Sequence, residues 1–386
     1  MAIYLDNAAT TRPFDETVSA VASCMRECYW NPSALYAPAM KAEQELSLAR
    51  QAVAGSVGAM ERDVLFTSGG TESNNLAIMG YMAVQRPGGV ILFSGAEHPA
   101  VKNACLEAAA LYGHTTEEIP LTQDGAVDME GLEALLDERV RLICVMQVCN
   151  ETGVAMSLEK LVRLRDRLAP QAAIHVDGVQ GYLRHPFSMA KLAVQSYAIS
   201  AHKVHGPRGV GALVVRSGHR IRPLVVGGGQ QGNLRSGTEN TPGIAGLRAA
   251  IQRYPSLDEC AAHMKVLKEI VLAELAASGI DHRVIGKPPE DMESAGHILA
   301  VSFPLVRAET LVHALEAEEI YIGTGAACSS KKGKRSQVLM AMKMPPEVID
   351  STVRISFSME NTPDEAAYAA KRIVEQTTQL GKIRRR

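Results

Sequence analysis

The chain has 386 residues, enough for one or two domains with a real hydrophobic core. Hydrophobic residues make up 46% and charged residues 21%, which excludes a chain that is mainly disordered. Lys and Arg number 40 against 42 Asp and Glu, and the net charge of −2 gives no reason to expect nucleic acid or an anionic membrane as the main partner.

Seven cysteines are too few for a disulfide scaffold, and their odd number reads as reduced thiols in a cytoplasmic protein. The opening MAIYLDNAATTRPFD lacks the basic stretch and apolar core of a secretory signal. Apolar runs such as Leu142–Val148 are too short to span a bilayer.

In chain order, β-branched runs predict strands at Val64–Thr67, Val90–Phe93, Arg141–Val148, Ile174–Val176, Tyr197–Ile199 and Gly211–Val215. Between them, Ser73–Val84, Val101–Tyr112 and Leu158–Leu168 are long enough to be the crossover helices that parallel strands require. The strands are apolar on successive residues, as expected when helices cover both faces. An α/β large domain with a mostly parallel sheet over residues 15–255 follows. Ser256 and Glu259 then form a capping-box signature ahead of a helix at Cys260–Ser278. Strand candidates Ile298–Phe303, Ile320–Ile322 and Arg354–Phe357 and a final helix at Pro363–Gln376 predict a smaller α+β domain, residues 256–386 together with 1–14.

Five segments carry chemical side chains. Ser200-Ala201-His202-Lys203 sets a lysine at a strand end, placed for a Schiff base beside a phosphate, although taken alone an exposed turn lysine is the commoner case. Asp177 ends a buried strand, where ligands of open α/β sheets bind, and a carboxylate there can hold a pyridinium nitrogen protonated or simply cap a helix. Thr67-Ser68-Gly69-Gly70-Thr71-Glu72 links a strand to a helix start that offers free N–H groups to a phosphate, without the lysine of a P-loop. Gly227–Thr238 is too glycine-rich and polar for packed structure; its Arg235 and Thr238 suit an anion, a linker being the alternative. Finally, Cys328 sits in a small-residue loop before Lys331, Lys332, Lys334 and Arg335, cations that favour its thiolate, whereas the other six cysteines fall in apolar patterns. No cysteine or histidine spacing fits a metal site.

These segments together resemble the NifS/IscS-type cysteine desulfurases, pyridoxal-phosphate enzymes of the class V aminotransferase group. The likeness runs from Tyr4-Leu5-Asp6-Asn7-Ala8-Ala9-Thr10-Thr11 to Arg354-Ile355-Ser356. It passes through Asn31-Pro32-Ser33, the Phe66–Asn75 segment, Glu97-His98-Pro99-Ala100-Val101, the lysine segment, Arg235–Thr238 and Ala327-Cys328-Ser329.

The resemblance implies a fold-type I architecture and pyridoxal 5'-phosphate as cofactor. It implies Lys203 as the lysine that holds the cofactor and moves protons, Asp177 as partner of the pyridine nitrogen, and Gln180 as donor to the ring hydroxyl. His98 matches the histidine that stacks on the ring, and Gly70, Thr71, Ser200 and His202 match the phosphate cradle. Thr238 matches a residue reaching the phosphate of a neighbouring subunit, which implies a homodimer. Asn150 and Arg354 match the pair that holds the substrate carboxylate, and Cys328 the thiol that takes sulfur from L-cysteine as alanine leaves. A sulfur-acceptor protein is implied as partner, for iron–sulfur cluster assembly or for thiolation of tRNA or cofactors. Cys149, Tyr36 and Gln231 depart from the family's usual residues, and the 331–335 loop is more basic than usual, a steering patch or a solvated loop. The competing interpretations are a selenocysteine lyase, a class V aminotransferase, or a non-catalytic sulfur-assembly scaffold.

Overall fold

The computed structural model describes residues 2–288, 290–325 and 335–384. Strand β1 (Ile3–Tyr4) precedes helices α1 (Asp15–Glu27) and α2 (Ala37–Val57). There follow β2 (Val64–Thr67), α3 (Gly70–Met82), β3 (Val90–Ser94), α4 (Pro99–Tyr112), β4 (Thr115–Ile119) and α5 (Met129–Leu135). Next are β5 (Val140–Met146), α6 (Leu158–Leu168), β6 (Ala173–Asp177), β7 (Ser196–Ser200), β8 (Gly211–Val215) and α7 (Thr241–Arg253). The remainder comprises α8 (Leu257–Ser278), β9 (Arg283–Ile285), β10 (Ile298–Ser302), α9 (Ala308–Glu316), β11 (Ile320–Tyr321) and β12 (Gly323–Thr324). It closes with α10 (Gln337–Ala341), α11 (Pro346–Ser351), β13 (Thr352–Ser356) and α12 (Pro363–Arg384).

A seven-stranded sheet runs β2-β8-β7-β6-β5-β3-β4. Six of its strands run the same way, and β8 alone is reversed, pairing antiparallel with both β7 and β2. Strands β2, β3, β6, β7 and β8 are buried along their whole length, because helices cover both faces. The edge strand β4, Thr-Thr-Glu-Glu-Ile, escaped the sequence reading: it is mostly exposed and polar and carries no apolar run. An antiparallel sheet, β12-β13-β10-β9, surrounds a second core that α8, α9 and α12 share with Ile3 and Leu5. The predicted strand Ile320–Ile322 corresponds to β11, which pairs with β1, and a further short strand beyond it, β12, pairs with β13. The Ser256–Glu259 capping box forms as the sequence indicates, starting α8 three residues before Cys260.

The polar Gly227–Thr238 segment is largely exposed, as expected, but it is anchored at Gln231 and Ser236, which are buried. Gln231 is 5% exposed; its Oε1 accepts from the N–H of Phe66 in the border strand β2, and its Nε2 donates to Glu239. A side-chain amide thus satisfies an otherwise unpaired edge group.

Candidate active site

The carboxyl ends of β6 and β7 place Asp177 and Ser200, and the turn after β7 presents His202 and Lys203. Asp177 is 6% exposed and held from two sides: Oδ2 accepts from Asn74 Nδ2 at 2.7 Å, and Oδ1 from the Val179 N–H at 3.0 Å. Asn74 in turn accepts from His175 Nε2 at 2.9 Å, and His175 Nδ1 meets the Ser196 hydroxyl at 2.8 Å. Because the Asn74 amide nitrogen is committed to Asp177, its oxygen must accept, which fixes the His175 proton on Nε2. Burial pushes the His175 imidazole down to about 3, so this chain of bonds stays neutral up to the Asp177 carboxylate.

His98 is the N-cap of α4; its Nδ1 accepts from the Ala100 N–H at 3.1 Å, which pins the ring. Burial lowers its pKa, with Lys203 acting in the same direction and Asp177 against it, so the imidazole is neutral and lies within reach of both charges. Its neighbour Glu97 accepts from Ser94 Oγ at 2.5 Å and from the Met146 N–H at 2.6 Å. Burial, reinforced by the Asp177 charge, raises Glu97 to about 8, and its Oε2 has no partner among the described residues.

The N-terminal segment is the thread that ties these groups together. Lys203 Nζ donates to the carbonyls of Ala8 and Ala9, both at 2.7 Å, and Gln180 Nε2 donates to Ala8 at 2.8 Å. Thr10 Oγ1 bonds His202 Nδ1, Thr11 takes the His202 carbonyl, and Asp6 Oδ1 accepts from Arg354 Nη2 at 2.7 Å. Burial and the adjacent Lys203 bring His202 down to about 4, so it is a neutral donor or acceptor at neutral pH.

Arg354 lies on β13 opposite Gly323 and is 2% exposed. Its Nη1 donates to the Asn150 backbone carbonyl at 2.9 Å, and its Nε has no acceptor among the described residues. A Cβ on Gly323 would stand 2.6 Å from Asp6 Oδ1, so only glycine leaves room for the Asp6–Arg354 pair. Glu151, next to Asn150, accepts from Ser336 Oγ at 2.5 Å, and burial raises its pKa to about 7.

The anion edge of the site is the start of α3. Gly69 has φ 151° and ψ −177°, a conformation essentially reserved for glycine, and no side chain caps the helix behind it. The first N–H groups of α3, from Gly70 and Thr71, therefore have no intrahelical partner, and this helix start lies next to Ser200, whose Oγ would be 3.8 Å from a Cβ at Gly69.

The Ala8–Thr10 segment thus joins Lys203, Gln180 and His202, and Asp177 and Lys203 both act on His98. Gly70 approaches Ser200, Thr71 follows Gly70 at the start of α3, and Arg354 bonds the Asn150 carbonyl. Thr238 is exposed, in a loop that reaches α3 through Arg235, whose Nε donates to Glu72 at 2.8 Å. Arg235 is therefore paired with a carboxylate and not held open for an anion, correcting the sequence reading. Arg335 likewise pairs with Asp350 at 2.8 Å. Cys328 and Lys331, Lys332 and Lys334 lie outside the described residues, and the other six cysteines are buried. Sequence reasoning assigned no role to Asp6, Asn74, Glu97, Glu151 or the Ala8 and Ala9 carbonyls. Asp6, Ala8, Ala9, Asn74 and Glu97 lie within segments that carry the resemblance, which was the signal that could have pointed to them.

The model of the aminotransferase class-V family matches residues 3–368. A cysteine desulfurase of Cereibacter sphaeroides is 35% identical over 364 residues, 94% of this chain and 92% of the relative. Among solved structures, a NifS-like protein superposes with a TM-score of 0.89 at 35% identity, covering 97% of this chain and 99% of that one. A structure of SspA in complex with cysteine gives a TM-score of 0.81 at 27% identity, covering 93% and 100%. The chain belongs to the class-V aminotransferases, among their NifS/IscS-type cysteine desulfurases. Members of this family are pyridoxal-phosphate enzymes. No helix among the described residues is long and apolar enough to cross a membrane.

Proposed function

We propose that the protein is a cysteine desulfurase that binds pyridoxal 5'-phosphate, converts L-cysteine to L-alanine and carries the sulfur as a persulfide on Cys328. The observation that carries this reading is the gathering of Lys203, Asp177 and His98 at one sheet edge, with Lys203 held by the Ala8 and Ala9 carbonyls and His98 feeling the charges of both Lys203 and Asp177. The donor set suits the cofactor: an amine for its aldehyde, a carboxylate for its ring nitrogen, a capped neutral imidazole for its face, and bare helix N–H groups for its phosphate. When bound, the cofactor supplies an electron sink for the charge left on the substrate carbon.

The protein's own residues do the rest. Asp177, oriented by Asn74 and Val179, keeps a proton on the ring nitrogen. Lys203 Nζ takes the substrate α-proton, and the Ala8 and Ala9 carbonyls set where that amine points. Arg354, rigidly held by Asp6 and the Asn150 carbonyl, offers its remaining N–H groups to the substrate carboxylate. The Cys328 thiolate forms an S–S bond to the substrate sulfur as the Cβ–S bond breaks, leaving a persulfide. Thr238, exposed on its loop, serves the phosphate of a second subunit in a homodimer. The 15–255 part forms the cofactor domain, and 1–14 with 256–386 forms the domain that carries Cys328. The acceptor is a protein of iron–sulfur assembly or of tRNA thiolation, met in the cytoplasm.

Cys328→Ser tests the reading. The variant should keep the visible absorption of bound cofactor and lose alanine formation from cysteine. Alanine at the wild-type rate would overturn the nucleophile, and the sulfur-bearing keto acid mercaptopyruvate in place of alanine would favour an aminotransferase.

A further inference from the structure

The loop that follows β6 carries Arg184, 4% exposed, into the interior, within electrostatic reach of Cys260 on α8, of His297 just before β10 and of His202. Neither its Nε nor its Nη2 has a hydrogen-bond partner among the described residues. The groups that act on its charge are Tyr254, Cys260 and Tyr197, and no carboxylate is among them. Burial drives Cys260 up to about 11 and both phenols above their ordinary value, so all three are neutral.

Within electrostatic reach of Arg184 lies His297, 1% exposed and close to the Gln180 backbone, its ring nitrogens without a well-formed hydrogen bond among the described residues. His297 feels Arg184, His185 and Lys268 together. Lys268, 2% exposed, has no acid near it either, donating to Ser294 Oγ and the Ala295 carbonyl. On the same turn as Arg184, Gln180 leaves its Oε1 without a donor. Other buried arginines are not treated so. Arg165 donates to the carbonyls of Ala172 and Ala193 and to Asp166, and Arg354 has Asp6. A buried guanidinium that lacks both carboxylate and carbonyl acceptors requires a compensating charge.

We propose that Arg184 and His297 hold a buried small monovalent inorganic anion, of the chloride class, between the loop after β6 and helix α8. Arg184 Nε–H and Nη2–H and one His297 N–H donate to it, and the ion joins the Gln180 turn to α8 and β10. Arg184 also acts on His202 and His205, so the ion sits behind the cofactor site, and its presence does not depend on the reading of the reaction.

The test uses crystals of the holoenzyme soaked in sodium bromide and melting curves in sodium chloride against sodium gluconate at equal ionic strength. A bromide anomalous peak beside Arg184 Nε and Nη2, and melting a few degrees higher in chloride, are expected. Arg184→Met, an apolar replacement of similar length, should fold, lose the peak and melt equally in both salts. Only water beside Arg184 in the bromide crystals, or equal wild-type melting in the two salts, would overturn the proposal. A bromide peak that persists in Arg184→Met would mark an adventitious ion only and overturn it as well.

Discussion

The carboxyl edge of the seven-stranded sheet and the interior behind it, around Arg184, bury polar groups in opposite ways. At the edge, Asp177, Asn74, His175 and Ser196 satisfy one another, and Lys203 is met by two carbonyls. Around Arg184 and His297, donors point inward with no acceptor among the described residues. A network closed on itself is organised before any ligand arrives; an open one needs a guest to be stable. Reaction chemistry belongs in the first kind of place.

The sharpest way to break that contrast is at the closed edge. Lys203→Ala should lower alanine production by about 10²- to 10⁴-fold, the usual scale for losing a positioned proton carrier. Normal turnover would mean that the carbonyl-anchored amine is not the base. Asp177→Asn should reduce kcat by about 10- to 100-fold, since a charge-assisted bond becomes a neutral one. The measurement is steady-state alanine release with saturating cofactor. Arg354→Lys replaces a guanidinium held at two points by a single ammonium, and the KM for cysteine should rise about tenfold with a smaller change in kcat. An unchanged KM would take Arg354 out of substrate binding.

The smallest effect concerns pH. Glu97 lies near 8 and Glu151 near 7 in the folded chain, against an ordinary 4.5. The folded state therefore keeps protons that the unfolded chain releases, so stability falls as pH rises from about 4.5 toward 7 or 8. Glu97→Gln removes one such group and should flatten the decline of melting temperature, by an amount on the order of 1 kcal/mol between pH 6 and 8. An identical pH profile in the variant would show that Glu97 is not protonated in the native protein.

Much of the fold was legible locally. The strands around Val64–Thr67 and Gly211–Val215 and the helix Leu158–Leu168 match their predicted bounds, because unbroken apolar runs and a clear helical period leave little choice. The edge strand β4 was not, since half-exposed Thr and Glu residues become a strand only by pairing with β3. The anchoring of the glycine-rich loop was not legible for a related reason: its Gln231 is buried by what it bonds, the rim of β2, and composition carries no record of that.

By itself, the sequence determined the alternating α/β order, the helix start at Ser256, and the identity of the reactive types: one strand-end lysine, one strand-end carboxylate, one loop thiol. These depend on neighbours a few residues away. Only the tertiary structure decided that Asp6–Thr11 binds Lys203, His202, Gln180 and Arg354 at once, and that Arg184 is left without an acceptor. Those contacts join residues up to 348 positions apart, and which carbonyl meets which donor is set by packing of whole elements, not by local preference.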